Sequence, residues 1–442
     1  MAAGSIHRQI IGAAVLIGLL TVVVKAVALI KEMVVAAYFG AGDSLDSFLI
    51  ALLLPQFCVN IITGSVQAAL IPTLIEVREK EGQEAANRLV SEIMLLGGGL
   101  LLAAAVLLAL VFPYLMPVLA SGFGPAKRDL TISLLRFLLP MLFLNGLAQI
   151  AASVLNSGER FALAAIVPAA TPACMMALVV WKSNEWGAAA LAAGIIAGGA
   201  IEMAILWRGL SKSGHPLLPR WHGYGDSSRR VVAQFAPTTV GMIIMGGTVL
   251  VDQAMAAMLS PGDVAALNYG NRLVSSLLGL GATALGTAVL PHFSKMTAVE
   301  DWAGVRSTLR RYTLLILLAA VPLALTIFFL SEPLVRMLFE RGAFTPAETR
   351  LVGRVQAYYT WQIPFYLLGI LAVRLISALK RNKVMVLITV VNLIVNIVLN
   401  FILSKWLGLP GIALSTVVVY FLSTAYLFIL LRNYWRGQGG KV

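Results

Sequence analysis

A few charged residues lie inside stretches of the chain that are otherwise apolar. Lys25 and Lys31 fall within the first stretch, and Arg272 falls within one in the second half. A charge near the centre of a bilayer costs roughly 2.5–3.5 kcal/mol on translocon scales, so it usually faces a partner or a watery cavity. Cationic side chains in a cavity can bind phosphate groups. We therefore predict that these three residues offer positive charge to a phosphate or pyrophosphate.

The same cations could instead be neutralised by acidic residues. Glu32 follows Lys31, and Asp46 lies at the entrance of the second apolar stretch. Pairing with either carboxylate would give Lys25 or Arg272 a structural role, and Lys31 could extend to the membrane interface. The sequence leaves both interpretations open.

A polar stripe follows the second apolar stretch. Its residues recur in helical steps of four and three, so they share one face of a helix; they are Gln56, Asn60, Thr63 and Gln67. We predict that Asn60 and Gln67 bind the substrate together with the cations.

A second polar group lies in the other half of the chain. Asp252 falls in the seventh apolar stretch, and Asn392, Asn396 and Asn400 recur every four residues in the eleventh. Oxygen-rich groups with one carboxylate could hold Na⁺, and Asp252 alone could take up a proton. The alternative is that the asparagines join helices by hydrogen bonds, which we prefer for Asn392.

Composition determines which elements position these residues. The chain has 442 residues, of which 59% are hydrophobic and 12% charged, too few polar residues to cover a soluble core of this size. A membrane-spanning helix needs about 20 apolar residues. The sequence predicts an all-α membrane protein with twelve spans, near 9–31, 46–72, 88–112, 129–155, 160–181, 186–208, 229–252, 264–291, 308–330, 352–379, 384–404 and 409–432.

The basic residues predict the orientation of these spans. With the N-terminus in the cytoplasm, the cytoplasmic segments hold more than twice as many Lys and Arg residues as the opposite segments. This bias predicts that both termini are cytoplasmic. It also explains the net charge of +13 by attraction to anionic membrane lipids, without nucleic acid.

The two halves of the chain repeat each other at an offset of about 220 residues. Gly42-Asp43 matches Gly262-Asp263, and Pro72 matches Pro291. We predict two six-helix, pseudo-symmetric lobes, 1–215 and 216–442, with a substrate site between them and alternating access by rocking. No Walker loop, nucleophile elbow or H-E-x-x-H motif is present, so we expect a transporter and not an enzyme.

Several segments resemble one family. The segments 25–32, 38–42 and 45–48 resemble the opening of the MurJ/MviN lipid II flippases, and 64–72, 268–273, 284–291 and 339–345 also match that family. The family belongs to the multidrug/oligosaccharidyl-lipid/polysaccharide exporter superfamily. The resemblance implies a V-shaped transporter of the bacterial inner membrane that flips a polyprenyl-pyrophosphate-linked saccharide, with envelope-synthesis enzymes as further partners.

The resemblance also assigns roles to residues. It implies that Lys25, Lys31, Asp46 and Arg272 are central-cavity charges. It further implies a Na⁺ site formed by Asp252, Asn396, Asn400 and Thr416. No organic cofactor is expected, and Na⁺ or H⁺ is the candidate coupling ion.

Two departures from the family bear on the cargo. The second span reads Cys58-Val59-Asn60-Ile61 where lipid II flippases usually have basic residues, and the sequence ends at Val442 where they commonly have two further helices. These departures favour a capsule, O-antigen or exopolysaccharide unit over lipid II. The alternatives are a small-molecule antiporter of the same superfamily, a membrane glycosyltransferase or polymerase, and a scaffold for synthases.

Overall fold

The computed structural model describes residues 2–158, 160–215, 219–379, 381 and 383–438, and within these it contains helices and no strand. The first seven helices are α1 (Ala2–Phe39), α2 (Asp43–Glu81), α3 (Gln83–Leu119), α4 (Pro125–Ser157), α5 (Phe161–Ile166), α6 (Ala170–Trp186) and α7 (Ala189–Lys212). The other seven are α8 (Asp226–Ala256), α9 (Asp263–Ala298), α10 (Trp302–Phe339), α11 (Pro346–Thr360), α12 (Gln362–Ala378), α13 (Lys383–Leu407) and α14 (Leu409–Gln438).

The all-α membrane fold is confirmed, and each predicted span falls on a helix. Eleven helical stretches of the described residues, from α2 onward, are long and apolar enough to cross a membrane. The fifth predicted span is interrupted by a 3₁₀ turn at Val167–Ala169, and the tenth is interrupted at Trp361. Proline explains the first interruption, because Pro168 and Pro172 lack the N–H that an α-helix needs.

The chain forms two compact units, Met1–Gly246 (the first unit) and Gly247–Val442 (the second unit), whose boundary falls inside α8. In the first unit α2 and α7 pack against α4, and α1 packs against α5 and α6. In the second unit α9 packs against α11 and α12, and α13 packs against α14. The division of the sequence repeat at 215/216 stays a prediction, since residues 216–218 lie outside the described ranges.

The predicted repeat has a structural counterpart in each unit. Gly42 precedes α2, and Gly262 precedes α9 with a left-handed backbone (φ 89°). Before α4 and α11, Phe123 and Phe344 are buried at equivalent turns. Equivalent turns therefore start equivalent helices in both units.

Small residues bring the helices of the first unit together. A Cβ atom on Gly198 of α7 would lie 2.3 Å from Thr171 Cα in α6, and one on Gly97 of α3 would lie 2.7 Å from Ile150 Cδ1 in α4. Both distances are shorter than any normal contact, so each glycine allows a close helix–helix approach.

Candidate functional site

The first unit contains a buried ion-pair cluster where α2 and α4 begin. The carboxylate of Asp46 is 0% exposed, and Lys127 Nζ lies 2.8 Å from its Oδ2 and 2.6 Å from Oδ1 of Asp43. The same ammonium lies 4.0 Å from the ring centroid of Phe123. Burying a charge costs several kcal/mol unless the charge is paired or hydrogen-bonded. Asp46 therefore joins α2 to α4, and its side chain is not accessible to a ligand in this structure.

The two lysines of α1 differ in their surroundings. Lys31 Nζ lies 2.7 Å from Glu32 Oε1, and both side chains are mostly buried, so the acidic neighbour compensates this cation. Lys25 is exposed, and it makes no ion pair or hydrogen bond within the described part of the chain. Pairing of Lys25 with Asp46 or Glu32 does not occur. Lys25 is thus the lysine of α1 whose charge is open to a ligand.

The polar stripe of α2 divides between a packed side and an exposed side. Thr63 Oγ1 donates to Gln149 Oε1 of α4 at 2.7 Å and is buried. Asn60 is exposed and accepts a hydrogen bond from Gln56 Nε2 at 2.9 Å. Gln67 is also exposed and has no side-chain hydrogen bond to any described residue. Asn60 and Gln67 therefore keep polar groups available on α2.

Glu202 of α7 contacts the point where the fifth span is interrupted. Its Oε1 accepts a hydrogen bond from the backbone N–H of Thr171 at 3.1 Å. The first N–H groups of a helix lack partners within that helix, and α6 begins at Ala170. Glu202 therefore supplies an acceptor to the start of α6, a contact between helices that helical periodicity alone does not predict.

In the second unit, α8, α13 and α14 bring a polar cluster around one carboxylate. Asp252 of α8 is 8% exposed, and its Oδ1 accepts hydrogen bonds from Asn400 Nδ2 at 2.6 Å and Asn396 Nδ2 at 3.1 Å. Its Oδ2 accepts one from Thr416 Oγ1 at 3.3 Å. Ser415 hydrogen-bonds to Asn400. The sequence-predicted residues of the Na⁺ site thus lie together; whether they bind Na⁺ stays a prediction.

The electrostatics of this cluster differ from those of an ion pair. No lysine or arginine pairs with Asp252 within the described ranges, so its partners are neutral amides and hydroxyls. These ranges also hold no group of three His, Cys, Asp or Glu side chains that could bind a metal ion. One carboxylate with neutral oxygens suits a monovalent cation or a proton. Around Na⁺ the amides would turn their oxygen atoms towards the ion.

The face of α9 that carries Arg272 is held by its neighbours. Asn268 Nδ2 donates to Gln253 Oε1 of α8 at 2.9 Å, and Asn271 Oδ1 accepts from Gln362 Nε2 of α12 at 3.3 Å. Arg272, the residue after Asn271, is half-buried and also has an interaction partner. The amide contacts fix the orientation of α9 and hence the position of the guanidinium group.

Sequence reasoning missed three contributors to these sites. Lys127 lies outside the predicted spans, and its pairing with Asp46 depends on the packing of α2 against α4. Ser415 joins the Asp252 cluster through its hydrogen bond to Asn400, and the buried Tyr359 lies beside the cluster. The periodicity of a single helix contains no signal for such contacts between helices.

The fold and these polar groups define a multi-pass α-helical membrane transporter. The family model described as lipid II flippase MurJ matches residues 35–442, so the chain belongs to that family. A relative from Synechocystis sp., named "Probable lipid II flippase MurJ", is 27% identical over 446 residues, covering 97% of this chain and 83% of the relative.

Two solved structures share the fold. One is titled "Lipid II flippase MurJ, inward closed conformation"; its TM-score is 0.81 at 22% identity, with 95% of this chain and 87% of that chain covered. The other is an inward-facing multidrug resistance MATE family transporter of the MOP superfamily, with a TM-score of 0.76 at 11% identity and 95% of each chain covered. The resemblance inferred from the short segments is confirmed, and the small-molecule antiporter and glycosyltransferase alternatives are not favoured.

Proposed function

We propose that this protein translocates a polyprenyl-pyrophosphate-linked saccharide from the cytoplasmic to the outer leaflet of the bacterial inner membrane by alternating access. Membership in the lipid II flippase MurJ family supports lipid II as the first cargo to test. The observation that carries the proposal is Lys25, an exposed cation within a helix of the membrane domain that no described carboxylate neutralises. An anionic pyrophosphate is the chemical group that would compensate this charge.

The other residues of the predicted substrate site take different parts in this proposal. Asn60 and Gln67 would donate hydrogen bonds to the pyrophosphate or the sugar, and Arg272 would supply a second cation. Lys31 would act with its charge reduced by Glu32. Asp46 would act indirectly, because it is buried and holds Lys127 where α2 meets α4.

The coupling ion would bind at Asp252 with Asn396, Asn400 and Thr416. When bound, Na⁺ or H⁺ would neutralise a carboxylate that is otherwise buried among neutral groups. The free energy of ion binding could then favour one conformation of the transporter over another. This chain's own residues supply the oxygen ligands and exclude water from them.

Localisation and chemistry follow from the same proposal. The basic residues favour cytoplasmic termini, and contacts with anionic lipids and with envelope-synthesis enzymes are expected at the cytoplasmic surface. Covalent chemistry is not part of the proposed cycle.

The cavity charge can be tested by the variant Lys25→Gln in proteoliposomes that contain fluorescent lipid II. We expect lipid II translocation to fall at least tenfold, because one charge-assisted contact contributes about 1.5–3 kcal/mol. The matched control is Lys212→Gln, which removes an exposed lysine at the end of α7. Equal rates for wild type and Lys25→Gln would refute the role of Lys25.

The cargo can be tested separately by genetic complementation. Strains that lack export of lipid II, O-antigen, capsule or exopolysaccharide units would each receive this chain. Rescue of the lipid II strain alone is expected. Rescue of one of the other strains alone would reassign the cargo, and rescue of none would contradict the proposed function.

A further inference from the structure

One end of the second unit carries a group of arginines stacked on aromatic rings. The Cζ of Arg381 lies 4.8 Å from the ring centroid of Tyr434, and that of Arg306 lies 5.7 Å from the ring of Trp435. Trp302 packs edge-on against Tyr434, with centroids 6.1 Å apart. We call these five residues the arginine–aromatic cluster. The start of α10, the α12–α13 turn and the end of α14 bring them together.

No carboxylate among the described residues compensates the positive charge of this cluster. Arg306 and Arg381 are exposed, and no carboxylate of the described ranges pairs with either. Arg310, one turn further along α10, is a third exposed cation that pairs with no described carboxylate. The indole N–H of Trp435 is buried and has no acceptor among the described residues. Stacking fixes the direction of the guanidinium groups but leaves their N–H donors free for an anion.

An apolar groove lies on the same unit, between α13 and α14. Its volume is about 520 Å³, and it is lined by Leu387, Ile388, Val391, Asn392, Val395, Leu422, Ser423, Ala425, Tyr426 and Ile429. Two polar residues of this lining bond to each other, since Asn392 Nδ2 donates to Ser423 Oγ at 3.2 Å. The surface that remains for an occupant is therefore almost wholly apolar.

The groove begins close to the arginine–aromatic cluster. Leu387 lies about one turn after the start of α13 at Lys383, which is two positions beyond Arg381 in the sequence. Ile429 precedes Tyr434 by five residues, about 7.5 Å along α14. From Leu387 to Val395 the groove runs about 12 Å along α13, less than half of the roughly 30 Å hydrocarbon core. The cations at one end match the anionic head group of a membrane lipid. The apolar groove, which is shorter than one leaflet, matches an acyl chain.

We infer that the arginine–aromatic cluster and the α13–α14 groove together form a binding site for one anionic glycerophospholipid of the bilayer. The phosphate binds Arg306 and Arg381, and one acyl chain fills the groove. The groove's length favours an acyl chain over the much longer polyprenyl chain of the proposed cargo. The inference is independent of the proposed function, because it concerns lipid retention and not translocation.

Native mass spectrometry of the full chain in detergent tests the head-group half of the site. Wild type and Arg306→Ala/Arg381→Ala would be titrated with dioleoyl phosphatidylglycerol and with dioleoyl phosphatidylcholine. We expect the variant to lose about thirtyfold in affinity for the first phosphatidylglycerol, equivalent to about 2 kcal/mol for two arginines at 1.4 kcal/mol per tenfold. Affinity for phosphatidylcholine should change less than threefold.

The matched control removes two other exposed arginines of the same unit. Arg350→Ala/Arg354→Ala changes the net charge equally, but both residues lie on α11. It should leave phosphatidylglycerol binding within threefold of wild type. If both double variants lost phosphatidylglycerol affinity equally, net charge alone would explain the loss and the proposed site would be wrong. Wild-type affinity in Arg306→Ala/Arg381→Ala would overturn the site as well.

Ala425→Phe tests the acyl-chain half by filling the groove. It should weaken retention of both lipids, whereas the arginine variant weakens only phosphatidylglycerol. Wild-type retention of both lipids in Ala425→Phe would overturn the groove assignment. Displacement of phosphatidylglycerol by undecaprenyl pyrophosphate in wild type, but not in the arginine variant, would instead assign the site to the cargo. A dimer that Ala425→Phe dissociates would assign the groove to a second copy.

Discussion

Asp46 of the first unit and Asp252 of the second unit are both buried among helices, and the two carboxylates have opposite surroundings. Asp46 in the first unit is paired with the ammonium group of Lys127, whereas Asp252 in the second unit is surrounded by amides and hydroxyls. A buried charge needs compensation. Asp46 already has its cation within the chain, and Asp252 lacks one among the described residues. The comparison separates a structural carboxylate from one that could bind an ion.

Removing the cation of Lys127 in the first unit should have the largest effect on the free energy of unfolding. Lys127→Met removes the cation that lies beside the buried carboxylate of Asp46, so we expect the free energy of unfolding to fall by about 3–5 kcal/mol. Denaturation in mixed micelles would measure it. Adding Asp46→Asn should restore most of the loss. As a control, Lys182→Met removes a partly exposed pair with Glu185 and should cost less than about 1 kcal/mol. A small effect of Lys127→Met would contradict the structural role of Asp46.

Removing the charge of Asp252 in the second unit should abolish stabilisation of the folded state by Na⁺. At a Na⁺ concentration about 100 times the Kd, a bound ion stabilises the folded state by about 2.7 kcal/mol. Thermal unfolding of wild type with Na⁺ or with choline would reveal this increment, and Asp252→Asn should lack it. Asp226→Asn, at the exposed start of α8, is the matched control. If Na⁺ has no effect on wild type at any pH, Na⁺ does not bind at this cluster.

The neutral ligands should contribute less than the carboxylate. Asn400→Leu removes a 2.6 Å hydrogen bond to Asp252, and hydrogen bonds to charged groups contribute about 1.5–3 kcal/mol. We expect this variant to lose stability by that amount and to weaken the Na⁺ increment. If Asn400→Leu lost the same stability when Asp252 was already replaced by Asn, Asn400 would act independently of the carboxylate. That result would contradict a hydrogen-bonded cluster around Asp252.

The smallest effect is expected at Asn392. Its amide bonds to Ser423 and not to the Asp252 cluster, and polar contacts between membrane helices contribute about 0.6 kcal/mol on average. Asn392→Leu should therefore leave the Na⁺ increment unchanged in the thermal unfolding assay. A lost increment would extend the ion site one turn further along α13.

The sequence alone determined the class of protein and the positions of its spans. Apolar blocks of membrane length must become helices, because a bilayer offers no hydrogen-bond partner to an unpaired backbone. The α-helical repeat likewise placed Asn396 above Asn400 before any contact was known. The interruption at Val167–Ala169 was not predicted from the sequence, and neither was the hydrogen bond from the N–H of Thr171 to Glu202 beside it.

Only the tertiary structure decided which side chains of different helices contact each other. From the sequence, Asp46 and Asp252 are both acidic residues in or beside apolar spans, and nothing local distinguishes them. Packing of α2 against α4 gave Asp46 its lysine, and packing of α8 against α13 and α14 gave Asp252 its amides. The physical reason is that helical periodicity specifies which side chains share a face. The neighbour that this face meets depends on contacts between residues far apart in the chain.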